Sequence, residues 1–200
     1  MPKFFAEKEN ITENSIVLDG EEAKHITKVL RMGVGDCITV CDGCGTDYEA
    51  EIESVEKNLL TAKILESSPS LSESRLRITL YQCLPKASKM EYVIQKCTEL
   101  GVNEYFPVSM KRSIVKLSGK DEQKKIERWQ KIIEGAAKQS GRDIVPKVNN
   151  IKNVNNVCEI IKNYDIFIVT YELEEKESLK AILVNLNKKI ESKIAVLIGP

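Results

Sequence analysis

Two hundred residues, 42% of them hydrophobic, suffice for one large domain or two modest ones, and no run approaches the roughly 18 apolar residues of a membrane helix. The N-terminus, MPKFFAEKEN, lacks the apolar stretch of a signal peptide, so a cytoplasmic protein that does not engage membranes is expected. The net charge of zero hides a segregation: residues 1–72 carry 7 Lys+Arg against 14 Asp+Glu (−7), residues 73–150 carry 16 against 9 (+7), and residues 151–200 carry 7 of each. This excludes a uniformly basic surface over the first third, while the basic middle is compatible with a polyanionic partner.

From Lys3 to about Glu66 short strands alternate with close turns: SIVLDG, DCITVCDG, TDYEAEIESVE and LLTAKILES. One helical stretch interrupts them, EEAKHITKVLRM, with Ala23, Ile26, Val29 and Leu30 at helical spacing and Gly33 as its stop. The pattern predicts a small β-barrel carrying one helix. Asp42-Gly43 marks a hairpin turn between CITVC and TDYEAEI. Cys41 and Cys44, with Cys37 nearby, invite a zinc reading, but a structural zinc site wants four ligands, and no second CxxC or close His pair exists. A hairpin without a metal is therefore expected. On the helix, Lys24, Lys28 and Arg31 fall at i, i+4 and i+7 with His25 beside them, and cations gathered on one face of so acidic a region suggest a phosphate-facing stripe.

SSPSLSES, residues 67–74, reads as a linker, giving domains at 1–70 and 75–200. Beyond it apolar strands alternate with amphipathic helices: RITLYQCL, a helix at 88–100, EYFPV, a long helix at about 121–139, VPKV, a helix at about 154–162, DIFIVTYE, a helix at about 175–187, and KIAVLIG. Such alternation predicts a parallel sheet covered on both faces. In the 88–100 helix, Ser88 and Glu91 form a capping box, Met90, Val93, Ile94 and Cys97 face the sheet with Leu100 on the same side, and Gly101 closes the C-terminus.

The first strand-to-helix turn, LPKASKME, has no glycine, and neither GxGxxG nor GxxxxGK[ST] occurs, which disfavours both common nucleotide cradles. His25 is the only histidine, so machinery needing a second is excluded. Polar residues gather instead after the predicted strands and the long helix: Lys86, Lys89 and Glu91; Lys111, Arg112 and Ser113; Gln139, Ser140 and Arg142; Tyr171 and Glu172. In a parallel sheet the carboxyl ends of the strands share one rim, where ligands bind. SGR also reads as a helix C-cap with Gly141 left-handed.

HITKVLRMGVGD, DGCGTDYEAEI, KASKMEYVIQKCTELGV, KRS at 111–113, AAKQSGRDIVPKV at 136–148 and the final LIGP occur in an order that resembles the bacterial 16S rRNA uracil-N3 methyltransferases of the RsmE type, in the SPOUT superfamily, over essentially the whole chain. The resemblance implies an N-terminal PUA-like barrel that helps grip rRNA and a C-terminal SPOUT-type α/β methyltransferase domain with a trefoil knot. It further implies S-adenosylmethionine as donor, held by backbone groups of the knot loops, a homodimer with the site near the subunit interface, and N3 of a uridine in the decoding region of the small ribosomal subunit as acceptor. LIGP looks like the first part of a longer LIGPEGG loop in that family, so the chain is expected to stop before the knot segment.

On this reading Arg112 and Arg142 supply donors to the uracil oxygens or the adjacent phosphate, and Thr170, Tyr171, Glu172, Ile198, Gly199 and Pro200 line the donor pocket. Lys24, His25, Lys28, Arg31, Lys86, Lys89, Gln139 and Ser140 contact RNA, and Glu91 is spent on its capping box. The alternative is a non-catalytic RNA-binding and dimerisation module, which would bind RNA without transferring a methyl group.

Overall fold

The computed structural model describes residues 3–70, 73–86, 89–110, 119–171, 173–174, 178–185 and 193–199. They divide into two compact units, one of Met1–Glu73 with Ala137–Val145, the other of Ser74–Ala136 with Pro146–Pro200.

The first unit is built on β1 (Lys3–Phe5), β2 (Ser15–Asp19), β3 (Cys37–Cys41), β4 (Thr46–Val55) and β5 (Leu59–Pro69), in the order β1-β3-β4-β5-β2. Alternation along each strand sends Phe4, Ile16, Leu18, Ile38, Val40, Ala50, Ile52, Leu60 and Ala62 into one core. Both edge strands feed the same cluster as the centre, as a small barrel requires. Register shifts at Glu49/Ala50 and Ile52/Ser54 bend the long β4–β5 hairpin.

Two local expectations need correction here. The first part of the expected linker is strand: Ser67, Ser68 and Pro69 pair with Tyr48, Asp47 and Thr46, because the first residues of a ten-residue β4 need a partner whatever the intrinsic preference of serine. The helix is also irregular. It begins as α1 (Gly20–Lys24) and continues as a π-helix over His25–Val29, with Leu30 N–H donating to His25 C=O at 3.0 Å. A π-turn takes one more residue per turn, so later positions are displaced around the axis. Ala23 and Ile26 stay in the core, whereas Val29 and Leu30 are turned out, 67% and 39% exposed.

In the second unit β6 (Arg77–Cys83), β7 (Glu104–Ser109), β8 (Lys147–Val148), β9 (Lys152–Asn153), β10 (Ile166–Val169) and β11 (Lys193–Ile198) form one sheet in the order β10-β11-β6-β7-β8, with β9 also on β7, and every pairing is parallel. Helices α2 (Lys89–Glu99), α3 (Lys120–Ser140), α4 (Val154–Ile160) and α5 (Leu179–Asn185) alternate with the strands, and the last turn of α3 counts with the first unit. On one face Tyr81, Cys83, Val108 and Ala195 pack with Val157 of α4; Tyr81 stacks on Phe106 at 4.9 Å, and its hydroxyl meets that of Tyr164 at 2.9 Å. On the other, Tyr105 Oη pairs with Thr98 Oγ1 of α2 at 2.8 Å. The buried row of α2 is Met90, Ile94 and Thr98, while Leu100, expected to face inward, is 83% exposed because α2 ends at Glu99. Gly101 (φ 99°) and Gly141 (φ 67°) close α2 and α3 in left-handed conformation. Ser88 lies outside the described residues.

Candidate functional site

In a parallel sheet the last carbonyls of adjacent strands emerge side by side, and here β10, β11 and β6 end together. Thr170, just past β10, directs its N–H and its Oγ1 to the carbonyl of Leu197 at 3.0 and 3.2 Å. Gly199 follows β11, and its carbonyl accepts from Gln82 Nε2 at 3.3 Å. A Cβ built on Gly199 would meet nothing within 4 Å, and Gly199 is not among the glycines with positive φ. Its backbone conformation does not demand glycine, and a backbone without Cβ there permits close approach. Ile198 is half-buried and Tyr171 is exposed. Lys86 and Lys89, after β6, are both exposed. Arg112, Glu172 and Pro200 lie outside the described residues. Glu91 Oε2 accepts from Arg128 Nη2 at 2.9 Å, so its carboxylate is engaged by α3 as well as lying in the first turn of α2.

Gln139, Ser140 and Arg142 fall in the segment that counts with the first unit. Gln139 and Ser140 are exposed; Arg142 is only 6% exposed. Its Nε and Nη2 donate to the two carboxylate oxygens of Glu73 at 3.1 and 2.7 Å, and Glu73 Oε1 also accepts from the amides of Asp143 and Ile144. This fork-to-fork pair is the strong geometry for arginine and carboxylate. Beside it Lys3 Nζ reaches Asp47 Oδ2 at 2.8 Å and Asp143 Oδ1, and Ser70 Oγ donates to Asp143 Oδ2. Cys41 Sγ donates to the carbonyl of Asp143 at 3.1 Å.

The ligand atoms of Cys41, Asp47 and Asp143 all lie within 4.8 Å of one another, a metal-like grouping among the described residues. Lys3 supplies its cation. Burial pushes the Cys41 thiol up to about 11. Cys37 and Cys44, the other members of the expected hairpin cluster, are exposed, and Asp42 Oδ1 closes the turn by accepting from the amides of Cys44 and Thr46 at 2.8 and 3.0 Å.

Lys24, His25, Lys28 and Arg31 are all exposed. The regular stripe expected of them is broken by the π-turn, and Arg31 leaves the helix at φ 56°. Around them stand Val29, Leu30 and Val34, so the face is mixed cationic and apolar. The sequence reading missed Gln82, Glu73 and Lys3. Gln82 alone had a local signal, as the one amide in the strand RITLYQC.

Comparison with known proteins agrees with this architecture. A family model described as an RNA methyltransferase domain matches residues 72–200, and one described as an RNA methyltransferase PUA domain matches residues 18–65. A ribosomal RNA small subunit methyltransferase E from Bacillus subtilis is 34% identical over 100% of this chain and 80% of its own length; one from Synechocystis is 36% identical over 70% of this chain and 44% of its own. The crystal structure of a ribosomal RNA small subunit methyltransferase E from Neisseria gonorrhoeae bound to S-adenosyl methionine superposes with a TM-score of 0.80 at 30% identity, covering 100% of this chain and 80% of that one. With its PUA-like unit, its parallel α/β unit and a matching relative along its whole length, the chain belongs to the ribosomal RNA small subunit methyltransferase E family of RNA-methylating enzymes.

Proposed function

We propose that this chain transfers a methyl group from S-adenosylmethionine to N3 of a uridine in the decoding region of 16S rRNA, acting in the cytoplasm as a homodimer. The observation that carries the donor site is the rim where β10, β11 and β6 end, with open space beside Gly199 and two backbone carbonyls fixed by side chains. Thr170, Tyr171, Ile198 and Gly199, with Glu172 and Pro200, would hold the donor there, chiefly through backbone groups. When bound, S-adenosylmethionine supplies a methyl group on a positively charged sulfur that is open to in-line displacement.

Uracil N3 is a weakly acidic imide and attacks only after losing its proton. The protein must align that nitrogen, exclude water, and stabilise negative charge spread over O2 and O4. Arg112 is the proposed donor to those oxygens. Arg142, already forked onto Glu73, is proposed to act on the reaction through position, by holding the 137–145 segment that carries Gln139 and Ser140 toward RNA. Lys24, His25, Lys28 and Arg31 on the PUA-like unit, and Lys86 and Lys89 after β6, would meet phosphates, with Val29 and Val34 available to unstacked bases.

The test is methyl incorporation from labelled S-adenosylmethionine into small subunits, followed by nuclease mapping and mass spectrometry of the modified nucleotide. A label on N3 of one uridine is expected. A label on another atom would sink the N3 assignment, and RNA binding without incorporation would favour the non-catalytic module. Light scattering of the protein in solution tests the homodimer.

A further inference from the structure

We infer that Gln82 is a positioning residue for the donor site: through its side-chain amide it sets the orientation of the Gly199 carbonyl at the end of β11. The inference rests on the reading of the end of β11 as the place where S-adenosylmethionine binds.

A strand in the middle of a parallel sheet is buried on both faces and is ordinarily apolar throughout. In β6 the neighbours Leu80, Tyr81 and Cys83 obey this, and Gln82, 5% exposed, does not. It stands in register between Ile198 of β11 and Pro107 of β7, a setting in which an unbonded amide would be destabilising. Its Nε2 has two protons. One goes to the carbonyl of Cys83 at 3.0 Å, which fixes the side chain against its own strand, and the other to the carbonyl of Gly199 at 3.3 Å.

Gly199 lies one residue past β11, where the strand ladder no longer dictates which way a peptide group points. The following residue is Pro200, which has no N–H to contribute. The carbonyl is therefore the handle by which that peptide can be oriented, and Gln82 grips it. Thr170 performs the matching task two peptides earlier, on β11, with two bonds to the Leu197 carbonyl from the β10 side. An amide buried in the sheet and a hydroxyl at the next strand thus brace the end of β11 from both neighbours, before any ligand arrives.

The experiment measures S-adenosylmethionine affinity by calorimetry on the purified protein and on three variants. Gln82→Met keeps the length and removes both donors, and should weaken binding about tenfold while the KM for small subunits stays put. Gln82→Glu places a carboxyl against two carbonyl oxygens: ionised it repels them, protonated it donates to one. Its affinity should therefore recover as the pH is lowered, in a range where wild-type affinity is flat, a response that a mere packing role would not give. Gly199→Val fills the open space beside Gly199 and tests the underlying reading. If Gly199→Val binds as wild type does, or the wild-type protein does not bind, the donor-site reading falls. If Gly199→Val binds poorly while Gln82→Met and Gln82→Glu match wild type, the reading stands and the role of Gln82 is overturned. Should Gln82→Met lose its fold by circular dichroism, the pH series on Gln82→Glu decides, and the same affinity at every pH would sink the inference.

Discussion

The two units are held together by different means. In the first, an apolar sheet core is supplemented by a largely buried ionic cluster in which Lys3, Asp47, Glu73, Arg142 and Asp143 meet from four stretches of chain. In the second, contacts between uncharged side chains recur at the parallel sheet: Tyr81 with Tyr164, Tyr105 with Thr98, and the Gln82 and Thr170 bonds at the rim. The difference teaches how to read segregated charge. The −7 of residues 1–72 and the +7 of residues 73–150 do not translate directly into two opposed surfaces, because Lys138 returns to Glu22 inside the first unit. Part of the basic middle is consumed in neutralising the acidic start.

This contrast can be broken by experiment. The largest effect is expected from Lys3→Met, which leaves Asp47 and Asp143 without their shared cation and should cost about 3 kcal/mol in urea unfolding. If the cost is below about 1 kcal/mol, the cluster is not a major source of stability in the first unit. Next, Arg142→Ala and Glu73→Ala should each destabilise by about 2 to 3 kcal/mol, and the double variant by little more than either, giving a coupling energy of about 2 kcal/mol. Methylation should fall alike in both single variants. Loss of activity in Arg142→Ala alone would instead place its guanidinium on the substrate.

Alkaline pH provides a third discriminator of similar size. The Cys41 thiol, raised from 9.0 to about 11 in the folded protein chiefly by burial, keeps its proton longer than it would unfolded. Its contribution to stability is complete below about 9 and is lost as pH rises through about 11. Hydrogen exchange should show the first unit weakening over that range by on the order of 2 kcal/mol, and Cys41→Ser should lose this pH dependence. The smallest effect belongs to the second unit: Tyr164→Phe removes one hydroxyl pair and should cost about 1 kcal/mol with little dependence on salt.

The parallel sheet was legible because RITLYQC, IFIV and KIAVLI are nearly continuous apolar runs, and the ends of α2 and α3 because Gly101 and Gly141 can take a conformation that other residues avoid. The three-residue β1 and the two-residue β9 were too short to leave a periodic signature. The π-turn is invisible to periodicity since displacement by a single position leaves Ala23 and Ile26 in phase and affects only Val29 and Leu30. Of the site, the glycine at the rim could be read directly. The engagement of Arg142 could not, because Glu73 lies 69 residues away, and nothing local distinguishes a guanidinium meant for a carboxylate from one meant for a phosphate.

The noncontiguous makeup of the first unit constrains its synthesis. A ribosome releases chain from the N-terminus onward, and the PUA-like unit lacks Arg142 and Asp143 until about 140 residues have been made. Until then Glu73 has no guanidinium and Lys3 has one carboxylate in place of two. An expression fragment cut at the serine-rich stretch would be arrested at that same half-finished stage, so dissection of this protein into its units calls for grafting 137–145 back onto the barrel.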